Sequence, residues 1–141
     1  MAIFGAGSDW DGVEQAPRFF NSNSYEIGWD VNEARDLHQL VRGLKASDII
    51  YLKANRPGSS EIRVKGIGVV IEQWQALQND CHSSTNSTST SYFLPVKWII
   101  KDEFHIHIPN NTGKLTNIRA ATFYEEFHPH VITSIINRIW I

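Results

Sequence analysis

Cysteine is nearly absent: among 141 residues there is only Cys81, so no internal disulfide can form, and its polar surroundings hold no evident group to activate a thiolate. Charge of one sign is also missing. A formal net charge of -2 excludes a protein that coats nucleic acid by charge alone, because such affinity comes from many Lys and Arg contacts to phosphate. Long apolar runs are missing too. The longest, such as Gly66-Ile-Gly-Val-Val-Ile71, are far too short to span a bilayer. The start, Met1-Ala-Ile-Phe-Gly-Ala-Gly7, has neither the basic region nor the sustained apolar segment of a secretory signal, so a cytoplasmic location without membrane contact is expected. Internal repeats, GxGxxG, Walker, GxSxG and HExxH motifs are lacking as well, and no cofactor is expected.

What is present is an ordinary globular composition, with 42% hydrophobic residues in a chain of single-domain length that buries about two-thirds of its unfolded surface. Periodicity places a strand at Ala2–Phe4, a helix over Val13–Asn21 around Pro17, and a strand at Ser24–Trp29. Asp30 is then expected to cap a helix over Val31–Leu44 whose apolar positions Val31, Ala34, Leu37, Leu40, Val41 and Leu44 share one face. Long strands are expected at Asp48–Ala54, Glu61–Glu72 and Tyr92–Ile100, with Trp98 in the core, followed by Phe104–Ile108. Gly66 and Gly68 inside a strand predict the bulge or bend that a small closing barrel needs. Residues 78–91 are Ser/Thr-rich and too poor in apolar residues to order in a core. Finally Val131, Ile132, Ile135, Ile136, Ile139 and Trp140 make a helical stripe after Pro129, expected to cap the barrel, with Trp140 and Ile141 a candidate contact to a neighbouring subunit.

The features closest to chemistry are glycine-rich. Ala2-Ile-Phe-Gly-Ala-Gly-Ser8 and Tyr25-Glu-Ile-Gly-Trp-Asp30 bring small residues, a serine and Trp29 into short strands, which suits a binding pocket where a ligand approaches the main chain. The other reading of Trp29 is a core residue. Lys53, Arg56, Arg63 and Lys65 flank Arg56-Pro-Gly-Ser-Ser60, which reads as a basic hairpin tip, open to phosphates or simply solvated. His105 and His107 share a strand face and His128-Pro-His130 adds two more imidazoles, but no further metal-binding pattern accompanies them, and the ordinary reading is a histidine strand at a barrel rim. For His38 and the Glu125-Glu126 pair, candidates for acid–base work, the sequence supplies no partner.

In order, the glycine/serine strand, a helix, Gly28-Trp29, a second helix, Lys45-Ala-Ser-Asp-Ile-Ile-Tyr51, Lys65-Gly-Ile-Gly-Val-Val70 and Pro95-Val-Lys-Trp-Ile-Ile100 resemble the PUA-like superfamily, especially its EVE and YTH domains. The likeness covers nearly the whole chain. It departs from EVE domains in lacking their opening Trp-x-x-Lys-x-Glu/Ser-Pro signature, and the long Ser/Thr-rich insertion stands where a second cage tryptophan would be brought in. The resemblance implies an α+β fold, a small mixed β-barrel of about five to six strands with flanking helices, in one domain spanning 1–141. It also implies a non-catalytic reader, one that flips a modified base of DNA or RNA (methylated or hydroxymethylated cytosine, or methylated adenine) into an aromatic pocket, in a restriction or defence setting. On that analogy Trp29 is the first cage wall and Trp74 a second, Ser8 and Asn21 meet the base edge, Asp30 accepts from an exocyclic amine unless it only caps a helix, and Trp10 is a flap. Two further expectations stay open. One is a PUA-like enzyme acting on nucleotides or RNA, similar to ASCH-type hydrolases, with His105 or His107 engaged. The other is an interaction module recruiting a separately encoded ATPase or nuclease.

Overall fold

The computed structural model describes residues 1–28, 33–54, 59–76, 92–109 and 122–140. Trp29, Asp30, Arg56, Cys81, Ile141 and the segment 78–91 lie outside the described residues. The four residues of β1 (Ile3–Ala6) are all buried, as expected of a strand covered on both faces. It pairs in parallel with β5 (Ile49–Ala54) and antiparallel with β10 (Phe123–Glu125). From β5 the sheet continues antiparallel through β6 (Glu61–Val70) and β8 (Tyr92–Ile100) to β4 (Ser24–Tyr25). The short β7 (Gln75–Ala76) joins β8, and β9 (Phe104–His107) joins the far end of β6.

This six-strand path curls into a half-barrel. Its two edges meet through side chains: Tyr25 of β4 packs against Phe123 of β10 with ring centroids 5.9 Å apart, and the Tyr25 hydroxyl donates to the Gly7 carbonyl at 3.0 Å. Alternation along the strands splits the core in two. Phe4, Ile50, Leu52, Leu94, Val96 and Phe123 pack with Phe19 of α1 (Ala16–Ser22) and Val41 of α2 (Arg35–Arg42). On the opposite face Ile3, Ile49, Tyr51, Ile62 and Val64 pack with Val131 and Ile135 of α3 (Pro129–Trp140). Fully burying each such side chain contributes about 1.5–3 kcal/mol. Beside this second cluster, the Tyr51 hydroxyl donates to Glu126 Oε1 at 2.6 Å and lies 2.7 Å from the Tyr124 hydroxyl, so the buried carboxylate is hydrogen-bonded.

Two bulges interrupt β6. Leu52 pairs with Gly66 but Lys53 pairs with Val64, which leaves Lys65 as the extra residue. Further on, Ile67 pairs with Ile100 but Gly68 with Trp98. The expected bend at the paired glycines is therefore found, and it has a packing reason: a Cβ on Gly68 would lie 2.4 Å from Val96 Cγ1. Sheet strands and α3 fall close to their expected ranges, and Trp98 is 5% exposed, in the core as expected.

Three expectations need correction. The helix read over Val13–Asn21 begins only at Ala16, because Val13–Glu14 is a strand (β3) paired with β2 (Asp9–Trp10) across a turn in which Asp11 and Gly12 have φ of 51° and 87°. The second helix begins at Arg35 with Ala34 as its N-cap, so Asp30 does not cap it. Trp140 leaves the apolar stripe of α3 and is 74% exposed, and α3 covers the second face of the sheet. No helix among the described residues is long and apolar enough to cross a membrane.

Candidate functional site

The Asp-Gly turn folds β2–β3 back over the end of β1 and so carries Glu14 to the bulge in β6. The bulge frees Lys65 from the regular ladder, the usual way a β-bulge re-aims a side chain. Lys65 Nζ donates to Glu14 Oε2 at 2.6 Å and to Ser8 Oγ at 3.0 Å. Ser8 in turn donates to Glu14 Oε1, which also accepts from the Ala16 N–H at 3.0 Å. Ser8 is fully buried and Lys65 is 6% exposed, so three chain segments are tied by one charged network at low solvent exposure. Buried networks of this kind rigidify when every member is bonded. Burial pushes the Glu14 carboxyl up, but the bonds from Lys65, Ser8 and Ala16 outweigh it and hold the group below its ordinary range.

This network forms part of the wall of a cavity of about 370 Å³, within the size range of small-molecule and cofactor sites. Trp10, Gly7, Gly28, Lys53, Arg63 and Thr122 complete most of the lining. Trp10 is held in place by its surroundings. Gly28 lies so close that a Cβ there would approach Trp10 Cδ2 at 2.9 Å, Phe19 meets the indole edge-on at 6.0 Å, and the Arg18 guanidinium carbon sits 4.8 Å from the ring centroid. Lys53, 8% exposed, places Nζ 5.5 Å from the Tyr124 ring centroid. Burial, reinforced by the Lys65 charge, lowers the Lys53 ammonium to about 8.

Of the residues singled out in sequence, Ser8, Trp10, Lys53, Arg63 and Lys65 line this one cavity. Their setting corrects the basic hairpin tip: Lys53 and Lys65 are buried, and only Arg63 is exposed, paired with Glu103 at 3.0 Å. Asn21 is exposed on α1 and does not line the cavity. Trp74 lies elsewhere, stacked on Tyr92 at 5.7 Å and met edge-on by His38, beside a separate cleft formed with Lys45 and Glu72. His105, His107 and His130 line a third cleft between β9 and α3. Among the described residues no group of three or more His, Cys, Asp or Glu side chains is arranged to hold a metal ion.

Sequence reasoning missed Glu14, Gly7 and Thr122. The signal for Glu14 was available in Asp11-Gly12, a strong two-residue hairpin marker. Glu14→Gln should weaken the fold by about 1–2 kcal/mol, the cost of breaking a buried pair discounted because the Glu14 side chain is 38% exposed. Because the folded carboxyl titrates below its ordinary value, its contribution is present above that value and is lost as pH falls through the folded one. Urea unfolding at pH 7 and pH 3 should therefore separate the variant from the parent at pH 7 and bring them together in acid. The chain matches no family model and no curated protein sequence.

Proposed function

We propose that this chain is a non-catalytic reader that binds a modified nucleobase of DNA or RNA, flipped into the cavity beside Trp10, on a PUA-like scaffold. The observation that carries the reading is the joining, in one cavity, of an aromatic side chain with fixed polar groups of both kinds. A base is a flat apolar plate with a polar edge. It is held by aromatic contact and discriminated by donors and acceptors set in advance. Trp10 supplies the first, and the Lys65–Ser8–Glu14 network supplies the second. Lys53 and Lys65 are too buried to act as clamps on backbone phosphates, a role that suits the exposed Arg63.

Trp10→Ala should weaken binding of a modified oligonucleotide roughly 5- to 100-fold, the range expected for loss of one base–aromatic contact. Fluorescence anisotropy at fixed salt, with the unmodified oligonucleotide as control, measures this. Equal affinity of parent and variant would remove Trp10 from the site.

One observation favours a second reading. A lysine lowered to about 8 in a cavity that also holds Glu14 is the kind of perturbed group found in catalytic sites, which suits an enzyme acting on nucleotides or RNA. Turnover of nucleosides or RNA that is lost in Lys53→Met would establish it.

A further inference from the structure

We infer that the modification selected by this cavity is an anionic carboxyl group on the base edge, seated against the ammonium groups of Lys53 and Lys65. The inference rests on the base-reading role proposed above. Its starting point is that two lysines, 8% and 6% exposed, line the same cavity, within range to repel one another. Lys65 is matched by Glu14 at 2.6 Å, and Lys53 faces the ring of Tyr124. The remaining charged groups on the wall lie at its rim. Asp9 and Asp11 are exposed on the β2–β3 hairpin, where an Asp9 oxygen already accepts from the Gly12 N–H at 2.7 Å, and exposed Arg63 is paired with Glu103. The deep wall therefore carries more positive than negative charge. A methyl group gains nothing from two ammonium groups and has to share a cavity with them. A carboxylate relieves their mutual repulsion and accepts charge-assisted hydrogen bonds, about twice as strong as neutral ones. Its arrival also favours the protonated form of Lys53, so affinity falls as pH rises through about 8.

The test uses the full chain and three otherwise identical oligonucleotides with cytosine, 5-methylcytosine or 5-carboxycytosine at one position, together with free 5-carboxycytidine, each titrated at pH 7 and pH 9. The expected result is that the carboxylated oligonucleotide binds on the order of tenfold to a hundredfold more tightly than the methylated one. That preference shrinks at pH 9 and disappears in Lys53→Met. Trp10-dependent binding that favours the methylated base, or a carboxyl preference that survives in Lys53→Met, overturns the inference and leaves base reading intact. Lys53-dependent binding of the free nucleoside without binding of any oligonucleotide overturns base reading in a polymer and leaves the carboxyl preference standing. If nothing binds, both fall.

Discussion

Replacing Lys53 with methionine will stabilise the fold at neutral pH while removing much of its affinity for the proposed ligand. Burial and the adjacent Lys65 charge lower the folded Lys53 from 10.5 to about 8, so the unfolded chain holds this proton more tightly than the folded one. Stability then rises as pH climbs from about 8 toward 10.5, and below 8 the full cost of the charge is borne. At about 1.4 kcal/mol per unit that cost is about 3 kcal/mol, of which about 2 kcal/mol should be regained between pH 7.5 and pH 9.5. Above pH 10 the trend turns over, because buried Tyr25 and Tyr51 titrate higher when folded and lose stabilisation as the unfolded phenols ionise. Methionine keeps the apolar stem and removes the charge, so the variant should be more stable than the parent at pH 7.5 and nearly flat to pH 9.5. Urea unfolding across that range measures both. A destabilised variant with the parent's pH slope would show that Lys53 is not the source. A residue whose removal stabilises a protein is a sign of function, since natural sites keep strained or desolvated groups at the expense of stability.

The second large effect concerns Gly68, where the sheet bends. Its missing side chain is required by close approach: a Cβ would stand 2.4 Å from Val96 Cγ1, 2.8 Å from Trp98 Cε3 and 3.1 Å from the Lys97 carbonyl. Backbone and two core side chains cannot all yield, so Gly68→Ala should cost about 3 kcal/mol, the upper part of the range for overpacking. For a chain of this length that corresponds to a fall in Tm of roughly 6–12 °C. Trp98 also donates its indole N–H to the Ser24 carbonyl at 3.2 Å, so displacing it loosens β4, the edge that meets β10 through Tyr25. Gly7→Ala is the matched control. Its Cβ would find Thr122 no nearer than 3.7 Å, an ordinary contact, and its Tm should stay within a few degrees of the parent. Equal melting of the two variants would contradict the packing account of the bend.

These two sites show where the chain was readable and where it was not. Tyr92–Ile100 and Pro129–Trp140 announced themselves by strict periodicity, and the structure places them as read. Gly66 and Gly68 announced a bend because glycine inside a β-branched run has few other uses. The β2–β3 hairpin was lost because Val13, Ala16 and Phe20 also fit helical spacing, which outweighed the Asp-Gly turn between Trp10 and Val13. For the site, five residues named from sequence lie together, but the reason for their proximity lay beyond local pattern. Lys65 looked like one cation of a solvated turn. What buries it is a bulge defined by pairing with β5 and a carboxylate from a hairpin far away in sequence. Asn21 and Trp74 were chosen by position along the chain, and tertiary packing sends both away from the cavity.

The most direct test of the account is to follow the indole N–H signals of the full-length protein by NMR during titration with an oligonucleotide carrying a modified base, beside its unmodified counterpart. The Trp10 resonance and the backbone amides of Gly7 and Ser8 should shift with the modified base and remain still with the unmodified one. Shifts confined to the histidine cleft between β9 and α3, or equal shifts with both oligonucleotides, would contradict base reading in this cavity.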